Sequence, residues 1–213
     1  YNVSLALSPT LHYQLDTMDM EDGWRTHYAR TVKEKFGKPC ITMGNIRTPE
    51  LADKLVTEGT ADFIGIGRGL IADPQWVNKA YEGREAQIRK CISCNIGCAG
   101  NRLANNRMIR CTINPDLIHD DDYKKLHVKR ATNVVVIGGG TAGLEAACSA
   151  AEVGCSVFLL EKGNELGGLA QKISTFPEKR RIRQFVDYQK CRADALKNLY
   201  IFRNHPGDLE TVR

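Results

Sequence analysis

The sequence predicts an α/β fold in which two nucleotide-binding parts are joined by a cysteine-rich segment. Three observations lead to this prediction. Short apolar strands alternate with helical patterns over residues 1–90, as in consecutive βα units of a parallel sheet. Four cysteines follow within residues 91–111. A glycine-rich turn between a strand and a helix then opens residues 132–213, as at the start of a Rossmann-like domain.

Three βα units are predicted in residues 1–90. The strands are placed at residues 1–7, 40–43 and 61–66. The first helix is predicted over residues 24–36, with Asp22 as its cap. The second has Thr48 as its cap and Pro49 at its first position. The third begins at Asp73-Pro74. Three strands cannot close an eight-stranded barrel, so this part is predicted to be the C-terminal part of a (β/α)8 TIM barrel.

Glycines follow two of these strands, at Gly44 and in the turn Gly65-Ile66-Gly67-Arg68-Gly69. The loops after the last strands of such a barrel commonly bind a phosphate group. Glycine lets backbone N–H groups approach the phosphate, and arginine pairs with it through two hydrogen bonds. The alternative is that the glycines only form tight turns, and the pattern alone leaves both interpretations open.

The cysteine segment contains Cys91, Cys94, Cys98 and Cys111, separated by two, three and twelve residues. Zinc sites usually present two separated cysteine pairs, whereas three close cysteines and one remote cysteine suit an iron–sulfur cubane. The spacing therefore favours an iron–sulfur cluster, with zinc as the alternative. Disulfides are not expected in a reducing compartment. Free, structural thiols are predicted for the remaining cysteines, Cys40, Cys148, Cys155 and Cys191.

The glycine-rich turn matches the dinucleotide-binding pattern at Gly138, Gly140 and Gly143, after the predicted strand 133–137. The first glycine is expected to form the turn, the second to admit a diphosphate, and the third to let helix and strand pack closely. Glu161 lies 18 residues after Gly143 and ends the next strand. An acidic residue there accepts hydrogen bonds from the ribose hydroxyls, and its negative charge disfavours a 2′-phosphate. We therefore expect FAD, NAD or ADP rather than NADP.

These three stretches, in this order, resemble the old yellow enzyme family, and in particular its fused iron–sulfur branch of enoate and 2,4-dienoyl-CoA reductases and trimethylamine dehydrogenase. The similar stretches are residues 39–83, the cysteines with Cys111-Thr112-Ile113-Asn114-Pro115, and the glycine-rich turn. The resemblance implies three sets of ligands. They are Gly44, Asn45, Arg47, Gly67 and Arg68 for FMN; Cys91, Cys94, Cys98 and Cys111 for a [4Fe–4S] cluster; and Gly138, Gly140, Thr141, Ala142, Gly143, Glu161 and Gly168 for FAD. Arg47 is included because the family often has arginine at the position of Asn45.

The resemblance also implies an enzyme, an NAD(P)H-dependent flavin oxidoreductase of the ene-reductase type. Electrons would pass from NAD(P)H through FAD and the cluster to FMN, which reduces an activated C=C bond of an enoate, enoyl or dienoyl substrate. An amine dehydrogenase of the trimethylamine dehydrogenase type remains an alternative, as does a non-enzymatic electron-transfer or zinc-stapled module. No catalytic residue is assigned, and His12 and Tyr13 are expected to be ordinary loop residues rather than substrate contacts.

Composition and organisation complete the expectation. The 213 residues carry a net charge of +5 with dispersed charges, so no nucleic-acid partner is predicted. No signal peptide and no apolar run of roughly 18 residues is present, which predicts a cytoplasmic protein without a membrane partner.

The predicted domains are residues 1–90, 91–131 and 132–213. We expect these residues to be a fragment that is inactive by itself. Its expected partners are the rest of the barrel and an NAD(P)H domain, and a homo-oligomer remains an alternative to a monomer.

Overall fold

The computed structural model describes residues 1–5, 8–118 and 126–208, with side chains at all of these positions except 8, 11 and 12. The predictions for residues 6 and 7, for the His12 side chain, for linker residues 119–125 and for residues 209–213 lie outside the described part. The chain divides into two units, Tyr1–Ile118 and His119–Arg213. The three-part division drawn from the sequence stays a prediction.

The first unit contains a parallel sheet of two strands with helices after each strand. The strands are β1 (Ile41–Met43) and β2 (Phe63–Gly65), and the α-helices are α1 (His27–Phe36), α2 (Pro49–Thr57), α3 (Arg68–Ala72) and α4 (Trp76–Tyr81). Short 3₁₀ turns lie at Ser8–Tyr13 and Glu85–Gln87, and a π-helix at Ile96–Ala104 follows the first cysteines. The alternation of parallel strands and helices confirms the α/β prediction for this unit.

Two helix starts in this unit show which sequence signals are reliable. The side-chain oxygen of Thr48 accepts a hydrogen bond from the Leu51 N–H at 3.2 Å, and Pro49 is the first helical residue, both as predicted. The prediction that Asp22 caps the preceding helix is wrong. Helix α1 begins only at His27, and the Asp22 carboxylate binds Arg47 instead. The ion pair with Arg47, which is distant in sequence, thus replaces the predicted cap interaction of Asp22.

The first predicted strand forms only one bridge in the described residues. Asn2 pairs with Ile41 in parallel, and the Val3 N–H donates to the Ile41 carbonyl at 3.1 Å. Phe63 of β2 is 59% exposed, unlike the side chains of a parallel strand that is covered on both faces. No described element packs over that side chain.

The second unit is a three-stranded parallel sheet packed against helices on one face. The strands, in sheet order, are β3 (Asn133–Ile137), β4 (Ser156–Glu161) and β5 (Leu199–Arg203). The helices are α5 (Thr141–Glu152), α6 (Gly168–Ile173) and α7 (Ile182–Asp194), with a 3₁₀ turn at Pro177–Lys179. The core of the unit contains Leu144, Ala147 and Cys148 of α5 and Val157, Leu159 and Leu199 of the strands.

The opposite face of this sheet carries apolar residues in register. Val135 pairs with Phe158, and Phe158 pairs with Tyr200, while Ile137 lies further along β3. The Phe158 ring stacks on the Tyr200 ring with centroids 5.4 Å apart. Ile137 is 61% exposed, because the described helices cover only the other face of the sheet.

Candidate functional site

The two predicted phosphate turns line one cavity in the first unit. The cavity has a volume of about 380 Å³ and lies between the loop before α1, the turn after β1 and the turn after β2. Its lining includes every residue predicted to contact FMN, namely Gly44, Asn45, Arg47, Gly67 and Arg68. The structure therefore brings together residues that are separated by more than twenty positions in the sequence.

The charge of this cavity comes from three arginines, Arg25, Arg47 and Arg68, and one carboxylate, Asp16. Asp16 is 1% exposed. One of its oxygens accepts hydrogen bonds from Arg25 at 3.3 Å and from Arg68 at 3.1 Å, and the other accepts one from the Trp24 indole at 2.7 Å. Because Asp22 pairs with Arg47, the three guanidinium groups face two carboxylates, and one positive charge remains for a phosphate.

Arg25 is a residue of this cavity that the sequence did not reveal. It is 7% exposed, and its Nε donates to the Met43 carbonyl at 3.1 Å. Burial lowers the pKa of its guanidinium, and the Asp16 carboxylate opposes that shift. Gly44 has a φ of +126°, and a Cβ there would lie 2.4 Å from the Arg25 Nε. Gly44 is therefore needed to admit Arg25, whether or not a phosphate binds.

Arg47 connects the turn after β1 to the cysteine segment. Its guanidinium donates to both Asp22 oxygens, and its Nη1 donates to the Cys91 carbonyl at 3.1 Å. The Trp76 indole N–H donates to the Arg47 carbonyl at 3.2 Å. These contacts give Arg47 a structural role, and its contact with FMN stays a prediction.

Arg68 is held by several acceptors on the wall of the cavity. Its Nη1 donates to the Asp16 carbonyl at 2.6 Å and to the Asn95 side-chain oxygen, and its Nη2 donates to Asn45 Oδ1 at 3.3 Å. A phosphate bound here would share the guanidinium with these groups. A Cβ placed on Gly67 would meet open space, so the neighbouring backbone has room for a ligand.

The four predicted cluster ligands line a second, smaller cavity in the same unit. It is bounded by Cys91, Cys94, Cys98 and Cys111, together with Arg68 and Asn95 among others. All four cysteines are free thiols and partly buried. Burial raises the pKa of the Cys91 and Cys111 thiols, so both are neutral near pH 7 until a metal cation favours the thiolate.

The backbone around Gly97 brings the remote cysteine to the other three. The Arg110 N–H donates to the Gly97 carbonyl at 2.7 Å, and a Cβ on Gly97 would lie 2.6 Å from the Arg110 carbonyl oxygen. Cys98 and Cys111 follow these two residues directly. The absence of a side chain at Gly97 thus lets the two chain segments approach each other. This contact brings Cys111 to the cavity that the other three cysteines line.

Four thiols are the donor set that either a [4Fe–4S] cluster or a zinc ion requires. Within residues 1–5, 8–118 and 126–208, no three His, Cys, Asp or Glu side chains lie in a group that could hold one metal ion. A tetrahedral zinc with bonds of about 2.3 Å needs its sulfur ligands within about 4 Å of each other. A [4Fe–4S] cluster takes one thiolate at each of its irons, so its ligands surround a larger object. All four thiols line one cavity of about 20 Å³, and the [4Fe–4S] cluster stays a prediction.

The glycine-rich turn of the second unit has the geometry of a dinucleotide-binding turn. Gly138 has a φ of +96°, and a Cβ on Gly143 would lie 1.8 Å from the Gly138 carbonyl oxygen. Gly143 therefore permits the close approach of helix α5 to the turn. A Cβ on Gly140 would meet nothing within 4 Å, which leaves room beside the start of α5, where Thr141 and Ala142 lie.

Glu161 and the Gly167-Gly168 pair lie beside this turn. The two carboxylate oxygens of Glu161 accept hydrogen bonds from the Gly139 N–H at 2.6 Å and the Gly163 N–H at 2.7 Å. A Cβ on Gly168 would lie 3.1 Å from the Gly140 Cα. The residues predicted to bind FAD are thus gathered at one edge of the sheet, and their contacts with the nucleotide stay predictions.

Fold and site together define a flavin-dependent oxidoreductase class, in which the phosphate turns of a β/α barrel precede a dinucleotide-binding domain. Residues 10–87 match the NADH:flavin oxidoreductase / NADH oxidase family, and residues 133–178 match the FAD dependent oxidoreductase family. This confirms the resemblance drawn from the sequence, and with it the fold class of a barrel part followed by a Rossmann-like part.

Three similar proteins illustrate the range of the family. An NADH oxidase of Thermoanaerobacter brockii is 46% identical over 190 residues, which are 88% of this chain and 29% of that protein. A cinnamate reductase of Clostridium sporogenes is 36% identical over 151 residues, 71% of this chain and 23% of the relative. The solved structure of histamine dehydrogenase from Rhizobium sp. 4-9 superimposes with a TM-score of 0.88 and 27% identity, covering 99% of this chain and 31% of that chain. The chain thus spans less than a third of the length of each.

None of the helices in the described part of the chain is long and apolar enough to cross a membrane.

Proposed function

We propose that this chain is the part of an iron–sulfur flavoprotein oxidoreductase that contributes the FMN phosphate site, a [4Fe–4S] site and the first dinucleotide-binding turn. One observation carries the proposal. Cys91 and Arg68 line both the cavity of the phosphate turns and the cavity of the four thiols. The two sites therefore share a wall, which is the arrangement needed for electron transfer between a flavin and a cluster.

Three sets of residues would each hold one bound cofactor. The turns at Gly44–Asn45 and Gly67–Arg68 would hold the FMN phosphate, and the four cysteines the cluster. The turn Gly138–Gly143, with Glu161 and Gly168, would hold FAD. When bound, the flavins supply hydride chemistry and the cluster supplies one-electron transfer between them. The protein's own contribution is to neutralise the phosphate with buried arginines and to keep the thiols partly out of water.

We propose NAD(P)H as the electron donor and a small molecule with an activated C=C bond as the acceptor. The similarity to a cinnamate reductase supports this substrate class. The likeness to histamine dehydrogenase favours a second candidate, an amine dehydrogenase with the same bound groups. The two candidates differ in the direction of electron transfer. In an amine dehydrogenase the substrate itself reduces the flavin, and NAD(P)H is not needed.

The first experiment is metal and flavin analysis of the full-length protein purified without oxygen. We expect iron, FMN and FAD, and a broad absorbance at about 400 nm from the cluster. Cys111→Ser should lose iron and this absorbance. Cys191→Ser is the matched control, because Cys191 lies on α7 in the other unit, and it should keep both. One zinc per chain without iron would refute the cluster.

The second experiment separates the two substrate classes in the same preparation. NAD(P)H oxidation that depends on an added enoate such as cinnamate supports the reductase. Bleaching of the flavin by an amine, in the absence of NAD(P)H, supports the amine dehydrogenase.

A further inference from the structure

Asn95 connects the cysteine loop to the site proposed for FMN. It follows Cys94 directly and has a φ of +57°. Its side-chain oxygen accepts a hydrogen bond from Arg68 Nη1, and its amide nitrogen donates to the carbonyls of Leu15 at 3.0 Å and Asp16 at 3.3 Å. One amide group therefore contacts both the turn after β2 and the loop before α1.

A second bond joins the same loop to the other phosphate turn. The Ser93 hydroxyl donates to Asn45 Oδ1 at 2.8 Å, and Arg68 Nη2 donates to the same oxygen at 3.3 Å. Ser93 is 2% exposed and Asn45 is 8% exposed. Ser93 and Asn95, which lie on either side of Cys94, are thus bonded to both turns that would hold the flavin phosphate.

The position of Arg68 depends on this network. Asp16, which is buried, accepts hydrogen bonds from Arg68 through its carbonyl and its carboxylate, and Asn95 accepts another. Hydrogen bonds to a charged donor are strong where water is excluded. Removing the Asn95 side chain would leave Arg68 Nη1 with the Asp16 carbonyl as its remaining acceptor, and it would release the cysteine loop from Leu15 and Asp16.

We propose that Asn95 is a positioning residue that makes FMN binding and metal retention by the four cysteines depend on each other. The inference rests on the proposed function, since it takes FMN and the cluster as the two ligands. A ligand that fixes Arg68 also favours the loop conformation in which Asn95 bonds to it. By linkage, metal bound to the cysteine loop must then strengthen FMN binding by the same factor.

The test measures the FMN dissociation constant of the full-length protein with iron bound and after anaerobic removal of iron by a chelator. In the wild type, iron should tighten FMN binding roughly tenfold, the size expected for a hydrogen bond to a charged group. In Asn95→Gly the ratio should fall to less than half of its wild-type value, while the Ser93–Asn45 bond retains the remaining coupling. Glycine adopts the positive φ without strain, so the substitution removes only the side chain.

The matched control is Asn106→Gly. Asn106 also has a positive φ, of +47°, and it is exposed in the same unit, where it accepts a hydrogen bond from Arg102. Its ratio should equal that of the wild type. Asn95→Asp retains an oxygen acceptor for Arg68 and should retain most of the coupling.

A second readout is the rate at which a chelator removes iron, with and without saturating FMN. FMN should slow the release in the wild type and slow it by a clearly smaller factor in Asn95→Gly. A purely structural role would speed the release equally in both conditions, and that result would overturn the inference. So would a wild type whose FMN affinity is the same with and without iron. A wild type that holds no iron would refute the proposed function itself.

Discussion

The Arg47 guanidinium binds both oxygens of the Asp22 carboxylate, at 2.8 and 2.7 Å. The Arg47 side chain is 6% exposed and that of Asp22 is 28% exposed, so the ion pair is largely shielded from water. The third Arg47 bond, to the Cys91 carbonyl, extends the pair to the first proposed cluster ligand. The ion pair thus links the loop before α1 to the cysteine segment.

Asp22→Asn should therefore destabilise the protein and weaken its hold on metal. Removing one partner leaves the buried Arg47 charge uncompensated, which should cost about 2 kcal/mol of the free energy of unfolding. The measurement is the thermal unfolding midpoint of the full-length protein, together with the rate of iron loss to a chelator. The unfolding midpoint should fall, and the rate of iron loss should rise.

Glu58→Gln is the control for this prediction. Glu58 is half exposed, and its two nearest cations lie 3.9 Å away. Its neutralisation should change the free energy of unfolding by less than about 0.5 kcal/mol. Equal effects of the two substitutions would show that the Arg47 pair has no special structural role.

The sequence revealed the parts of the fold whose signals are local. The Thr48 cap lies three residues from the N–H that it binds, and Gly143 lies five residues from the carbonyl that it must avoid. Both roles depend on a short stretch of backbone with one preferred geometry. The two glycine turns and the cysteine spacing were recognisable for the same reason.

The parts that the sequence did not reveal depend on distant charged partners. Arg68 binds Asp16 across 52 residues, and Asn95 binds Leu15 across 80 residues. No spacing in the sequence marks such pairs. Asp22 shows the same limit, because its cap signal was correct in form but Arg47, 25 residues away, binds the carboxylate. Long-range ion pairs therefore decide the details of this site.

Gly140→Ala and Gly143→Ala should separate nucleotide binding from folding. The Cβ of Gly140→Ala would enter open space, and the Gly140 φ of −73° suits alanine. This variant should keep the wild-type unfolding temperature and lose FAD affinity by at least about tenfold, because the methyl group occupies the place of the diphosphate.

Gly143→Ala should instead destabilise the fold. Its Cβ would lie 1.8 Å from the Gly138 carbonyl oxygen, so the helix must move away from the turn. We expect a loss of more than about 2 kcal/mol in the free energy of unfolding. The measurements are thermal unfolding of the flavin-free protein and titration with FAD. A wild-type melting temperature for Gly143→Ala would contradict the packing role.

Glu161→Gln should relax the choice of nucleotide. The carboxylate is fixed by the N–H groups of Gly139 and Gly163, and its charge disfavours a ligand with a 2′-phosphate. Titration calorimetry with ADP and with 2′-phospho-ADP should show a strong preference for ADP in the wild type. In the variant that preference should shrink about tenfold. Glu165→Gln, on the exposed neighbour Glu165, should leave the preference unchanged.

Asp62→Asn should remove a contribution to the free energy of unfolding that depends on pH. The hydrogen bond from Lys33, at 2.9 Å, and the Cys40 N–H hold the pKa of the Asp62 carboxyl below its usual value of 3.8. Because the folded pKa is lowered, the carboxylate stabilises the fold fully above the unfolded pKa and loses this effect as the pH falls through the folded pKa.

The difference in unfolding temperature between wild type and Asp62→Asn should therefore be constant from about pH 7 to about pH 5, and it should shrink as the pH falls below 3.8. The effect should be small, because the Lys33 and Asp62 side chains are about a third exposed and water screens the pair. Asp53→Asn, on the exposed side of α2, is the control for the substitution itself and should change the unfolding temperature at pH 7 by less than Asp62→Asn does. A difference for Asp62→Asn that grows on acidification would reverse the sign of the argument, since it would mean that folding raises the pKa of Asp62.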